Sequence, residues 1–164
     1  MIKKFLCIYL LFCLSFTFFA CKDSEYSNAL SCEELMRAAV EASPTEGGYE
    51  PMSEGRLSYA FGDLEYDDCA ILVSSSSENI DEIGIFHASS ADQAEKLHSA
   101  AEAYLADLLE EKGAFIASYA PLEADKLEKA QVNVYGNYVA YAILSQKGRN
   151  SFFSAVEGKL CGIN

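Results

Sequence analysis

Residues 131–144, QVNVYGNYVAYAIL, contain the clearest β-hairpin signal in the chain. Two apolar runs flank Gly136-Asn137, a pair typical of tight hairpin turns because both residues tolerate a positive φ. The second run, residues 138–144, is apolar or aromatic throughout, and we expect such a strand to be buried on both faces at the centre of a sheet. Residues 69–73 and 83–86 flank the turn-like segment SSSSENIDE and predict another hairpin, which is the first in chain order, so that residues 131–144 form the second.

Helical patterns surround these hairpins. Ser31-Cys-Glu-Glu34 matches a capping box and predicts a helix over residues 32–43. Ser90-Ala-Asp-Gln93 repeats the signature before a long amphipathic helix, which we expect to close at Lys112-Gly113. Further patterns predict a short helix between Ser53 and Gly62, another over 123–129 and a final helix after residue 150. The predicted fold class is α+β with two layers: a four-stranded, mainly antiparallel sheet of two hairpins packed against the long helix, with N- and C-terminal helices.

The first 21 residues indicate export. Lys3 and Lys4 precede an apolar run from Phe5 to Ala20, which ends at Cys21 and a polar stretch. Sixteen helical residues reach only about 24 Å, short of the roughly 30 Å hydrocarbon core, which disfavours an uncleaved transmembrane anchor. Secretion without a lipid is a second alternative, but a cysteine directly after Ala20 favours a lipoprotein. We therefore predict a signal peptide over 1–20, a lipidated Cys21 with a short tether over 21–30, and one globular domain over 31–164 on the extracytoplasmic face of the cell membrane.

Composition limits the partners. The chain has 164 residues with 25 acidic and 12 basic side chains, a net charge of −13, which disfavours nucleic acid and favours cationic, neutral or metal-carrying partners. High acidity also simply keeps an exported protein soluble, which is the default interpretation. The expected partners are the membrane, through the lipid anchor, and an envelope protein. Three cysteines follow Cys21, namely Cys32, Cys69 and Cys161, and none forms a C-x-x-C pair. Cys69 opens an apolar run and fits a small buried residue. An extracytoplasmic location would allow a Cys32–Cys161 bridge.

Few side chains suggest chemistry. The two histidines, His87 and His98, have no conspicuous carboxylate spacing, and we predict no catalytic site and no metal or other cofactor. Acidic groups flank the first hairpin and could converge on a divalent cation, with solvated turn charges as the alternative; they are Glu65, Asp67, Asp68, Glu78, Asp81 and Glu82.

Tyrosines give the best candidate for a binding surface. They gather near the second hairpin at Tyr119, Tyr135, Tyr138 and Tyr141, and Tyr135 and Tyr141 could project to one sheet face. Cross-strand packing beneath a helix is the alternative.

Several short motifs occur in a recognisable order. They are Asp81-Glu-Ile-Gly-Ile-Phe86, Tyr119-Ala-Pro121, Lys126-Leu127 and Val134-Tyr-Gly-Asn-Tyr-Val139. Over roughly residues 50–160 the chain resembles the bacterial lipoprotein family catalogued as domain of unknown function 4358. The resemblance implies location and architecture, and no catalytic residues. The sequence thus predicts a non-catalytic binding or interaction domain at the cell envelope; the alternative is a small envelope-modifying hydrolase that uses His87.

Overall fold

The computed structural model describes residues 26–62 and 64–162, so the predicted signal peptide and Cys21 lie outside the described residues. Five helices and five strands follow in the order α1 (Cys32–Ala42), β1 (Tyr49–Pro51), α2 (Glu54–Phe61), β2 (Asp68–Ser74), β3 (Glu82–His87), α3 (Ala91–Tyr119), α4 (Pro121–Glu128), β4 (Gln131–Tyr135), β5 (Tyr138–Ile143) and α5 (Gln146–Leu160). None of the helices in the described ranges has the length and hydropathy needed to cross a membrane.

The strands form one antiparallel sheet in the order β1-β2-β3-β5-β4. Both predicted hairpins, β2-β3 and β4-β5, are confirmed, and every residue of β5 is buried. The prediction of four strands is wrong, because β1 also pairs with β2 at the sheet edge. β1 has only three residues, too few to show a period of two in the sequence.

Helices cover both faces of the sheet, so the predicted two-layer arrangement is also wrong. On one face, α1 and α5 pack on Ile83, Ile85 and Tyr138; on the other, α2, α3 and α4 pack on Phe86 and Tyr141. Consecutive residues of β5 alternate between these two clusters, as the pleat of a strand requires. A strand that is apolar at every position therefore needs two helical layers.

Local capping signals set most helix starts. The capping box of Ser31 and Glu34 is formed, and the hydroxyls of Ser53, Ser90 and Ser145 each accept a backbone N–H at the start of α2, α3 and α5. The predicted end of α3 at Gly113 is wrong, because the helix continues to Tyr119 and ends just before Pro121. Gly113 is buried inside the helix, and an added Cβ there would come within 2.9 Å of Leu109 Cδ1.

Two glycines are required by the sheet. Gly136 has φ +58 in the β4-β5 turn and Asn137 has a negative φ, the pattern of a type II′ turn. Gly84 lies opposite Tyr141, and a Cβ at Gly84 would come within 2.0 Å of Tyr141 Cε1. The missing side chain of Gly84 thus makes room for the Tyr141 ring.

Candidate binding cleft

The predicted tyrosine surface is not formed. Tyr135, Tyr138 and Tyr141 are buried, and only Tyr119 is exposed. Tyr135 lies directly opposite Tyr138 on the α1/α5 face, whereas Tyr141 lies on the other face, so Tyr135 and Tyr141 do not share a face. Cross-strand packing explains the three buried rings, and Tyr119 belongs to a different surface at the end of α3.

The two histidines have different polar neighbours. His87 Nε2 is 2.8 Å from Asn28 Oδ1, and its ring lies 4.5 Å from the Tyr138 ring, centroid to centroid. His98 pairs with Glu102 on the same helix at 3.6 Å. Within residues 26–62 and 64–162, His87 makes no hydrogen bond to a carboxylate or to a hydroxyl nucleophile.

The acidic groups do not converge either. Asp68 pairs with His87 at one end of the β2-β3 hairpin, and Glu82 pairs with Val73 at the other end. No group of three or more potential metal ligands occurs among the residues that the structure describes. Cys32 is a free, buried thiol, so the Cys32–Cys161 bridge is not formed.

A concavity with a partly buried polar lining lies between α2, α3 and the end of the sheet where β3 begins. It consists of two neighbouring cavities of about 370 and 330 Å³, and both are lined by Arg56, Leu108 and Lys112. We call this concavity the α2/α3 cleft. Its walls mix apolar side chains, such as Ile116 and Ile143, with charges of both signs, including Asp107 and Glu111.

A buried carboxylate forms the floor of the α2/α3 cleft. Glu82, on β3, is 1% exposed; Arg56 donates from Nη2 to Glu82 Oε2, which also accepts from Tyr104 Oη at 3.2 Å. Tyr141 Oη donates to Glu82 Oε1 at 2.8 Å. Both carboxylate oxygens are therefore hydrogen-bonded within the protein, so the group holds other side chains in place and offers no free oxygen as a general base.

The environment of Glu82 favours its neutral form more than water does. Burial raises the pKa of Glu82 above its ordinary value, and the charge of Arg56 with the hydroxyls of Tyr141 and Tyr104 offsets this only in part. The Arg56 side chain is 41% exposed and lines both cavities. Glu82 thus fixes a half-exposed guanidinium at the centre of the cleft.

A second polar network fixes the adjoining loop. Lys126 Nζ, on α4, donates to Asp81 Oδ1 at 2.7 Å, to Glu123 Oε2 at 2.9 Å and to Asn79 Oδ1 at 3.1 Å, and Thr45 Oγ1 donates to Asp81 Oδ2 at 2.6 Å. Burial lowers the pKa of Lys126, but these contacts with Asp81 and Glu123 outweigh it and the pKa is raised. The network connects α4 to the loops before β1 and β3 and so shapes one wall of the cleft.

Large apolar side chains are exposed where α3 ends and α4 begins. Phe115, Tyr119 and Leu122 are 68, 79 and 83% exposed, and the rings of Phe115 and Tyr119 lie 4.9 Å apart, centroid to centroid. We call these three residues the apolar tip. Ile116, which neighbours Phe115 in α3, lines the cleft and connects the two features.

Sequence reasoning missed Arg56, Tyr104 and most of the apolar tip. One signal was available for the cleft, because Glu82 is a carboxylate at the first position of β3, directly before the apolar residues 83–86. The tip had no signal, since the expected helix end at Gly113 left its residues outside α3.

One comparison with known proteins supports the family named from the motifs. The family model described as Domain of unknown function (DUF4358) matches residues 47–144, more than half of the chain. A search of curated proteins and a search of solved structures each found no match. The matched range contains the α2/α3 cleft and the apolar tip, and the chain belongs to the DUF4358 family.

Proposed function

We propose that this protein is a lipid-anchored, extracytoplasmic lipoprotein that binds an envelope protein, without catalysis, through the α2/α3 cleft and the apolar tip. The observation that carries the proposal is the apolar tip itself, three large and strongly exposed side chains next to a cleft of mixed polarity. Exposed apolar clusters rimmed by polar groups are typical of protein-binding sites.

The position of residues 26–30 supports this arrangement. Tyr26 stacks edge-on against Tyr135, Ser27 N donates to Leu160 O at 2.8 Å, and Leu30 O accepts from Tyr138 Oη at 2.6 Å. These contacts hold residues 26–30 against the α1/α5 face. A lipid at Cys21 would hold that face toward the membrane. The cleft and the apolar tip, on the opposite face, would then point away from the membrane, where an envelope protein could bind them.

The chemistry of the cleft supports binding over hydrolysis. Both oxygens of Glu82 accept from protein donors, and His87 lies with Asn28 rather than with an acid. The alternative of an envelope-modifying hydrolase therefore has no supporting geometry around His87 in the described ranges.

Site-specific photocrosslinking tests the binding proposal. A benzophenone amino acid at Tyr119 in the full chain should give a discrete protein adduct in cells, and one at Glu95, exposed on the first half of α3, should not. Adding the Phe115→Ser and Leu122→Ser changes should remove the adduct while the circular dichroism spectrum stays the same. Equal adducts from positions 119 and 95 would contradict the proposed surface.

Intact mass tests the anchor. Chain extracted from membranes should begin at Cys21 and carry diacylglycerol, and Cys21→Ser should abolish labelling by an alkyne fatty acid. Purified material that keeps Met1 and has no acyl mass would overturn this part of the proposal.

A further inference from the structure

The two edges of the sheet differ in how well they are protected against pairing with another strand. β1 has only three residues, among them the exposed Glu50 and Pro51. Short length, charge and proline are the common devices that block edge-to-edge association. β4 has none of them, because its five residues, Gln131–Tyr135, include no charge and no proline.

The backbone of β4 presents unpaired groups to solvent. In a hairpin with a two-residue turn, Tyr135 and Tyr138 exchange both backbone hydrogen bonds, and the pattern then alternates along the strand. The N–H and C=O groups of Val132 and Val134 therefore point away from β5. The same alternation is seen toward β3, on the other side of β5. Asn137 directly precedes β5, and its carbonyl oxygen accepts from the N–H of Ala88, directly after β3, at 2.8 Å. Among the described residues no backbone bond satisfies the outer groups of Val132 and Val134, and Val134 is 45% exposed.

We propose that β4 pairs with β4 of a second copy of this chain, antiparallel and centred on Asn133, so that two sheets become one continuous sheet. In this register, Val132 of each copy lies opposite Val134 of the other, and the outward N–H and C=O groups of both residues are satisfied. The strand is thus complementary to itself.

Charge favours a second copy at this edge over the rest of the surface. The chain has a net charge of −13, so most approaches of two copies are repulsive. Residues 130–146 contain no charged side chain, and Gln131 and Val134 of β4 are among the exposed residues of that stretch. Two copies that meet at β4 bring together the least charged region available.

The geometry also suits two copies on one membrane. A two-fold axis that relates antiparallel strands of one sheet runs perpendicular to the sheet, so both copies show the same face in the same direction. Residues 26–30 lie on the α1/α5 face, so in both copies this segment lies on the same side of the joined sheet. This point rests on the proposed lipid anchor, whereas the strand pairing does not.

Cysteine scanning tests the register. In the proposed register, Asn133 of one copy lies directly opposite Asn133 of the other, and the two residues exchange no backbone hydrogen bonds. The Cα atoms of such a pair are about 4.5 Å apart, which is within the range of a disulfide. Asn133→Cys in the full chain, exported to an oxidising compartment, should give a covalent dimer on a non-reducing gel at least tenfold above the wild-type background. Val132→Cys and Val134→Cys alone should stay at background, and co-expression of the two should give the dimer.

Edge variants test the association itself. When two differently tagged copies are co-expressed and extracted in mild detergent, isolation of one should recover the other. Val134→Pro removes the outward N–H and Val134→Glu adds like charge; each should reduce recovery at least tenfold. Leu122→Glu, an equally drastic change at the apolar tip, should leave recovery unchanged and so separates this pairing from the proposed partner site. Absence of the Asn133→Cys dimer, a cysteine adduct to a different protein, or full recovery with Val134→Glu would overturn the proposal.

Discussion

Replacing Arg56 with methionine should destabilise the fold strongly, because it leaves a buried carboxylate without its cationic partner. Glu82 is 1% exposed, and Arg56 is the only cation hydrogen-bonded to it among the described residues. Breaking a buried ion pair by removing one partner costs about 3–5 kcal/mol. Arg56 is 41% exposed, and Glu82 keeps the hydroxyls of Tyr104 and Tyr141. We therefore expect a loss near the lower end, about 3 kcal/mol at pH 7, in urea unfolding followed by circular dichroism.

The pH dependence gives this prediction its sign. Burial raises the folded-state pKa of Glu82 above its ordinary value of 4.5, and removing the charge of Arg56 raises it further. A carboxyl whose folded pKa lies above its unfolded pKa stabilises the fold below the unfolded value, and this stability is lost as the pH rises through the folded pKa. The deficit of the Arg56→Met variant should accordingly be largest near neutral pH and should shrink as the pH falls toward 4.5.

A second change should rescue the first. Glu82→Gln removes the buried charge and keeps an oxygen that can accept from Tyr141, so the double variant should regain more than half of the lost free energy at pH 7. Arg37→Met is the matched control, because Arg37 forms an exposed pair with Glu33 at 3.7 Å and its loss should leave the urea midpoint unchanged. An Arg56→Met variant as stable as wild type, or a double variant no better than the single one, would refute the reasoning.

Three further changes probe other parts of the fold. Gly84→Ala should cost about 3 kcal/mol, the upper end of the usual range for overpacking, seen as a lower thermal midpoint, because its Cβ would lie 2.0 Å from Tyr141 Cε1; an unchanged midpoint would show that the ring moves freely. Lys126→Met should cost about 3 kcal/mol, since it leaves the buried Asp81 without its cation, and urea unfolding would measure this; a loss below 1 kcal/mol would contradict it. Cys32 should resist iodoacetamide in the native state and react in urea, because burial both hides the thiol and raises its pKa; native labelling detected by peptide mass would count against the described packing.

The features that the sequence predicts well are local ones. The hydroxyl of Ser31 reaches the backbone of Glu34 three residues away, and Ser90 reaches Gln93 in the same way, so each cap is specified within one turn. The β4-β5 turn is likewise specified by Gly136 and its neighbour. In contrast, β1 pairs with a strand about 20 residues later, and nothing in its three residues indicates that partner.

The cleft could not be predicted because its contacts are distant in sequence. Arg56 and Glu82 are 26 residues apart, and Glu82 and Tyr141 are 59 apart. On α2 alone, Arg56 has the appearance of a solvated basic residue, and only the packing of α2 against α3 brings it over the sheet. The tertiary structure, rather than any local pattern, turns an ordinary surface arginine into the partner of a buried carboxylate.

The spacing of the two tyrosines in β5, by contrast, is enough to predict from the sequence that they lie on opposite faces of the sheet. Tyr138 and Tyr141 are three residues apart in a strand, so they must point to opposite faces. The hydroxyl of Tyr138 accordingly donates to Leu30 O on the α1/α5 face, and the hydroxyl of Tyr141 donates to Glu82 beneath the cleft. One strand therefore stabilises both the attachment of residues 26–30 and the floor of the cleft, and Gly84 is the residue that makes the second contact sterically feasible.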